Sequence, residues 1–217
     1  MLYPIGDINV KNGYKPILTW IFLAINVAVW LYEFSLGTQG RIAFIHEYGV
    51  VPAELIHGQD WLMAWTSMFV HASWMHVIGN MLYLYVFADN IEALVGHVRF
   101  FIFYFLGGLA AVLLQTVMDW NSLTPMVGAS GCISAVLGAY LVMIPKGKVR
   151  LMFFFVVRFW VPAILFLLFW GLQQFMAGFG SIAETQETVG VAYWAHIGGF
   201  VFGLLAGFYF RITRKYR

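Results

Sequence analysis

Six apolar runs, each close to the length that crosses a bilayer, are set along the chain at 17–36, 74–95, 98–117, 127–144, 159–177 and 191–211. A helix rises about 1.5 Å per residue, so about 20 apolar residues traverse the hydrocarbon core. No soluble fold buries six such runs. With 62% hydrophobic and 10% charged residues, the chain lacks the polar surface to wrap a water-facing core. The expectation is an all-α polytopic membrane protein, a six-transmembrane-helix bundle forming a single domain over 1–217 with the lipid bilayer as its solvent. Neither a low-complexity linker nor a solenoid-type repeat interrupts it.

Orientation follows from the cations. If the six runs alternate, Lys11, Lys15, Arg99, Lys146, Lys148, Arg150, Arg158, Arg211, Arg214, Lys215 and Arg217 share one side, and Arg41 stands alone on the other. By the positive-inside rule that side is cytoplasmic, with both termini in it, in a plasma or inner cell membrane. The run at 17–36 is longer than a signal-peptide core and reads as a retained span. A net charge of +2, spread over the ends of apolar runs, is accounted for by topology and implies no nucleic acid partner. The segment 37–70 then lies outside the cytoplasm as a long loop, with Trp61, Trp65 and Trp74 at headgroup level. The single cysteine, Cys132, excludes an intrachain disulfide and reads as a small packing residue.

Polar side chains inside membrane segments are costly unless paired or hydrated, so they mark function more sharply than any others here. They fall in four places: His71 with His76 and Asn80; Asp89, Asn90 and Glu92; Ser130; and His196. The second group sits where a span meets the cytoplasm and reads as structural. The other three share the outer half of the membrane. On span four, Ser130, Ser134 and Gly138 form one stripe at helical spacing, and on span six His196 stands above Gly199, Gly203 and Gly207. Two small-residue faces of this kind permit close backbone approach in lipid, which brings Ser130 and His196 to the same level.

A serine hydroxyl becomes a useful nucleophile when a neutral imidazole takes its proton. Acyl transfer also needs donors for the developing oxyanion. His76 and Asn80, four residues apart, share a helix face and can both donate, and the backbone N–H of Ser130 can add a third. With no aspartate in sight to orient His196, a dyad is the economical arrangement. Each feature also has a plainer reading: Ser130 and its glycines as helix packing, His196 as a satisfied interior group or proton relay, and His71, His76 and Asn80 as a helix cap or lipid contact. Metal ligation is disfavoured, because His71 and His76 are five apart, no HExxH occurs and no cysteine cluster exists. No metal and no cofactor is expected.

With these residues in place the chain resembles the rhomboid intramembrane serine proteases over its six-span core. "GASG" at 128–131 is similar to the family's nucleophile motif, and "AHIGGFVFG" at 195–203 to its last-helix motif. "HASWMHVIGN" at 71–80 resembles its His, His, Asn pattern. The resemblance implies a rhomboid-like bundle and a serine endopeptidase that cuts the transmembrane segments of other membrane proteins. It implies Ser130 as nucleophile, His196 as base, His76 and Asn80 as oxyanion donors, and His71 and Gly128 in support. Gly199 and Gly203 become close-packing glycines, and Glu92 and Gly96 structural ones. Two departures stand out: Ser134 occupies the position where many members carry an aromatic stacked on the catalytic histidine, and the Trp-Arg pair of some first loops is absent from 37–70.

Such chemistry requires unwinding of a helical substrate, water from the outer side, and lateral access. Span five, with Pro162, Phe166, Phe169 and Trp170, is the expected gate, and 178–190 the expected mobile cap. The rival readings are a rhomboid-like client-binding protein without catalysis, which should lack the serine or the histidine, and a small transporter. The transporter requires polar residues through the whole membrane, whereas "AVLGAYLVMI" and "FGLLAGFYF" are apolar.

Overall fold

The computed structural model describes residues 2–8, 10–59, 61–154, 156–183 and 192–213. In chain order these form β1 (Leu2–Asp7), α1 (Ile17–Ser35), α2 (Gly37–Tyr48), α3 (Pro52–Ile56), α4 (Met63–Thr66), α5 (Trp74–Val95), α6 (His97–Met118), α7 (Ser130–Met143), β2 (Lys148–Phe153), β3 (Val157–Pro162), α8 (Ala163–Ala183) and α9 (Tyr193–Thr213). The six long or central helices, α1 and α5 to α9, take the positions of the six apolar runs. Taken alone, α1, α6, α8 and α9 are long and apolar enough to cross a membrane. The 22-residue α5 is more polar, because it carries the Asn80 and Glu92 levels of the bundle.

Helix α7 has only 14 residues, about 21 Å at the α-helical rise. It can be short because it touches protein, not lipid: every residue from Gly131 to Tyr140 is buried. Non-helical backbone is tolerated at membrane depth where protein lines it. The segment before α7 meets that condition. Gly128 N–H donates to the Ser67 carbonyl at 2.8 Å, and Met126 and Val50 exchange N–H···O bonds of 2.7 and 3.0 Å.

Glycines set the distance between α7 and α9. A Cβ added to Gly199 would fall on the Gly131 carbonyl oxygen, one on Gly203 on the Ala135 carbonyl oxygen, and one on Gly138 on the Phe200 carbonyl oxygen. The two backbones are therefore in direct contact, as dispersion-driven helix pairing in lipid requires. Around them pack Phe22, Phe87, Phe100, Tyr104 and Leu137.

One end of the bundle carries an antiparallel sheet in the order β1-β2-β3, which the apolar character of its sequence concealed. Leu2 pairs with Phe153 and Asp7 with Val149 across an irregularity between Pro4 and Gly6; Lys148 pairs with Pro162 and Phe153 with Val157. In β2 the period of two is plain, with Val149 and Leu151 buried and Lys148 and Arg150 exposed. The expected span at 159–177 is corrected accordingly: 157–162 is strand, and the helix begins at Ala163.

Two acids fasten this end. Asp7 Oδ2 accepts from Tyr140 Oη at 2.6 Å and Asn90 Nδ2 at 2.5 Å, while Asn90 Oδ1 accepts from Val10 N–H at 2.6 Å. Burial raises the Asp7 carboxyl above its ordinary value, against the pull of its Tyr140 and Asn90 hydrogen bonds. Glu92 accepts from Leu18 N–H and Thr19 N–H at 2.8 Å each, from Thr19 Oγ1 at 2.7 Å, and pairs with His97 Nδ1 at 2.7 Å. A carboxylate there satisfies orphan donors of the α1 N-terminus and complements its dipole. At the opposite end, 37–70 is largely helical, running through α2, α3 and α4, with Trp61, Trp65 and Trp74 about half exposed. Of the expected cap at 178–190, residues 178–183 continue α8 and 184–191 lie outside the described residues.

Candidate active site

Helix α5 starts where Ser73 turns extended and its Oγ accepts the His76 N–H at 3.2 Å, an N-cap. That places His76 in the first turn and Asn80 one turn below it on the same face. His71 lies just before the cap and is fully buried. Its N–H points at the Glu33 carboxylate, 3.2 and 3.3 Å from the two oxygens, and its Nδ1 is 3.1 Å from the Phe69 carbonyl. Its ring meets that of His76 edge-on at 5.1 Å. Burial, and then the neighbouring His76, push the His71 imidazole down to about 3. His71 is therefore a fixed, neutral wall behind His76.

Gly128 adopts φ +121°, a conformation that L side chains rarely take. A Cβ there would stand 2.6 Å from His76 Nε2 and 3.4 Å from Asn80 Nδ2. Only a bare backbone passes so close to these two groups. Asn80 is buried, and its Nδ2 has no hydrogen-bond partner among the described residues. A buried amide donor without an acceptor is costly, and this one faces the strand of backbone that leads into Ser130.

Ser130 is the first residue of α7, so its hydroxyl stands among the free N–H groups and positive dipole end of that helix. Its carbonyl accepts from Ser134 Oγ at 2.7 Å. A small cavity beside it is lined by Ser67, Gly108, Val127, Gly128, Ser130 and Ala195. His196 lies in the first turn of α9, its N–H donating to the Ala192 carbonyl at 3.2 Å. One turn below it Gly199 lies against the Gly131 carbonyl and 3.1 Å from Ser134 Cβ when a Cβ is built on it. The Gly199 contact sets α9 against the start of α7, and the approach of Gly128 to His76 and Asn80 sets α5 there too, so that Ser130, His196, His76 and Asn80 are gathered at one end of the bundle. Among the described residues Ser130 Oγ makes no hydrogen bond to His196; the imidazole Nδ1 bonds instead to Gln174 Oε1 at 2.7 Å. Catalytic hydrogen bonds are often long before substrate binds.

Two residues here escaped the sequence reading. Gln174 is one, although a polar side chain within the apolar run of α8 was a signal. Glu33, fully buried in α1 and holding the His71 backbone, is the other. The missing aromatic at Ser134 is made good from another helix: Trp170 of α8 lies 6.0 Å from the His196 ring, tilted by 37°. Lower on α8, Phe166 stacks on Phe87 at 6.1 Å and on Tyr83 at 6.3 Å of α5. The opposite face of α8 turns outward, with Phe169, Leu172 and Met176 exposed. Cys132 is buried within the core. Among the described residues no group of three or more His, Cys, Asp or Glu is arranged to hold a metal ion.

What this geometry defines is a class: a multi-pass membrane protein with a serine, histidines and an asparagine gathered at one end of a glycine-tight helix pair. The family follows from comparison with known proteins. The Rhomboid domain family model matches residues 58–213, and the chain belongs to the rhomboid family. It is 28% identical to Rhomboid protein 1, mitochondrial, of Saccharomyces cerevisiae, over 88% of this chain and 53% of that protein. To Rhomboid protease GluP of Bacillus subtilis it is 26% identical, over 90% of this chain and 35% of that protein. To Presenilin-associated rhomboid-like protein A, mitochondrial, of Danio rerio it is 34% identical, over 43% of this chain and 25% of that protein. The chain therefore spans from a quarter to about half the length of these relatives.

Proposed function

We propose that the protein is an intramembrane serine endopeptidase, with Ser130 as nucleophile, His196 as general base and His76 and Asn80 as oxyanion donors. The observation that carries this reading is the buried, acceptorless Nδ2 of Asn80 beside Gly128 and the start of α7. A substrate oxyanion is the acceptor that this donor lacks. Ser130 Oγ attacks the scissile carbonyl carbon as its proton passes to His196 Nε2. The carbonyl oxygen takes negative charge toward Asn80, His76 and the Ser130 N–H. The C–N bond then breaks, the departing amine takes the proton from His196, and an ester to Ser130 remains. Water, deprotonated by His196, hydrolyses that ester and restores the serine.

The substrate is a transmembrane segment of another membrane protein, reaching the site between α5 and α8. Its helix has to unwind near the site, so Gly, Ala or Ser residues there lower the cost. The exposed outer face of α8 and the ring contact of Phe166 with Phe87 and Tyr83 of α5 support this route. The basic sheet end is assigned to the cytoplasm, with both termini, and the site to the outer half of a cell membrane. The test is chemical. A fluorophosphonate probe should label wild-type protein in detergent micelles at Ser130, located by peptide mass spectrometry, and should not label His196→Ala. Absence of label on Ser130 in folded wild-type protein would favour the client-binding reading.

A further inference from the structure

We infer that Gln174 is the positioning residue of His196, so that the base is held from α8 and not from the helix that carries the nucleophile. The inference rests on the protease reading and extends it from a dyad to three members. A neutral imidazole carries one N–H, and which nitrogen holds it is set by the partner of the other. With Gln174 Oε1 accepting at 2.7 Å, the proton resides on Nδ1. The lone pair is then on Nε2, the only nitrogen left to take the Ser130 proton. In the opposite tautomer Nε2 would carry a hydrogen and no base would face Ser130.

The rest of the contact fixes the ring. Trp170 lies one turn before Gln174 and covers the imidazole, and it also packs on Phe200, one turn after His196, at 5.7 Å. Between them, Gly171 lets α8 approach Phe200, whose ring would stand 3.4 Å from an added Cβ. Ser134 contributes nothing to holding the ring, since its hydroxyl is spent on the Ser130 carbonyl. The neighbouring Gln173 is exposed on the lipid side, whereas Gln174 is half-buried. Gln173 is thus a built-in control. A consequence follows for access: a substrate that displaces α8 acts on the same helix that supplies the acceptor for Nδ1, so the base is competent when α8 is seated on α9.

The experiment uses the full chain in detergent micelles, as wild type, Gln174→Leu, Gln174→Met, Gln174→Glu and Gln173→Leu. Two readouts are taken: the rate of fluorophosphonate labelling at Ser130, and the tautomer of His196 from its ¹⁵N ring shifts, identified by difference from His196→Ala. Loss of a correctly presented base should slow labelling of the Leu and Met variants by roughly 10- to 100-fold, with the Nδ1–H signal of His196 replaced by a mixture. Gln174→Glu, which keeps an acceptor at the same reach, should stay within a few-fold of wild type, and Gln173→Leu should match it. Labelling and tautomer both unchanged in a folded Leu or Met variant would overturn the assignment. So would slowing in the Leu, Met and Glu variants alike with Nδ1–H retained, which marks a structural contact only. If wild type itself does not label, the protease reading fails, and the ¹⁵N shifts still decide whether Gln174 fixes the tautomer.

Discussion

Replacing Gly203 by alanine adds one methyl group at the tightest of the described glycines. The new Cβ would overlap the Ala135 carbonyl oxygen and stand 2.7 Å from its carbon and 2.8 Å from its Cα. An ordinary carbon–oxygen approach is about 3.3 Å, and the obstacle is backbone, which has no rotamer to turn aside. Helix α9 has to retreat from α7 by roughly 1 Å, and overpacking of this kind costs about 1–3 kcal/mol. Gly79, on α5, has nothing within 4 Å of an added Cβ, so alanine there should gain about 0.5–1 kcal/mol of helix stability. Both sites are helix interiors, so the propensity gain of alanine cancels between them, and the two variants should separate by the overpacking cost alone, about 1–3 kcal/mol. Because His196 lies two turns above Gly203 on the same helix, a displacement near 1 Å should also slow Ser130 chemistry by roughly 100-fold. The assay is reversible unfolding in mixed micelles followed by circular dichroism, with fluorophosphonate labelling on the same samples. Equal stability of Gly203→Ala and Gly79→Ala would refute the claim that backbone contact through glycine sets the α7–α9 distance.

Three further outcomes are expected. Glu92→Ala leaves the buried Thr19 donors and the part-buried Leu18 N–H without their acceptor, and should lower unfolding stability by roughly 1–3 kcal/mol in the same assay, with Glu92→Gln between it and wild type. Asp7→Asn keeps an oxygen for Tyr140 and Asn90 while removing a half-buried charge, so it should match or exceed wild type in resisting proteolysis of the N-terminal strand, whereas Asp7→Ala should be cut faster. Since the folded Asp7 carboxyl titrates above its ordinary 3.8, its contribution is full below that value and is lost as pH rises through the folded one, a slope that Asp7→Asn should abolish. Gly128→Ala forces a methyl group to within 2.6 Å of His76 Nε2 at φ +121°, and should suppress Ser130 labelling at least 10-fold while costing only about 1–3 kcal/mol of stability.

The sequence showed the six-helix frame because lipid imposes one rule, a long apolar run, on every exposed span. It was least accurate where that rule lapses. Helix α7 needs no apolar length because protein surrounds it, so its start at Ser130 was set by loop hydrogen bonds through Gly128 and Met126 and not by hydropathy. The β2–β3 hairpin was hidden because 145–158 read as a loop between spans and Phe159 and Trp160 as the start of the next span, when they are strand. The level shared by Ser130, His196, His76 and Asn80 was legible, since helical spacing and small residues are local signals. Gln174 and Glu33 were not singled out: each is one polar residue in an apolar run, and its partner lies on an element distant in sequence. Trp170 was read as a gate residue of span five, while its position over the His196 ring depends on the approach of α8 at Gly171.

The central claim, that Ser130 and His196 cut peptide bonds, is met most directly by one measurement. Purified protein in liposomes is given a single-span reporter with Gly, Ala and Ser near the outer face of its segment, and cleavage is compared among wild type, Ser130→Ala and His196→Ala. Wild type should cut within or beside the segment, and neither variant should. Cleavage by both variants at the wild-type rate, or binding of the reporter by wild type without cleavage, would contradict it.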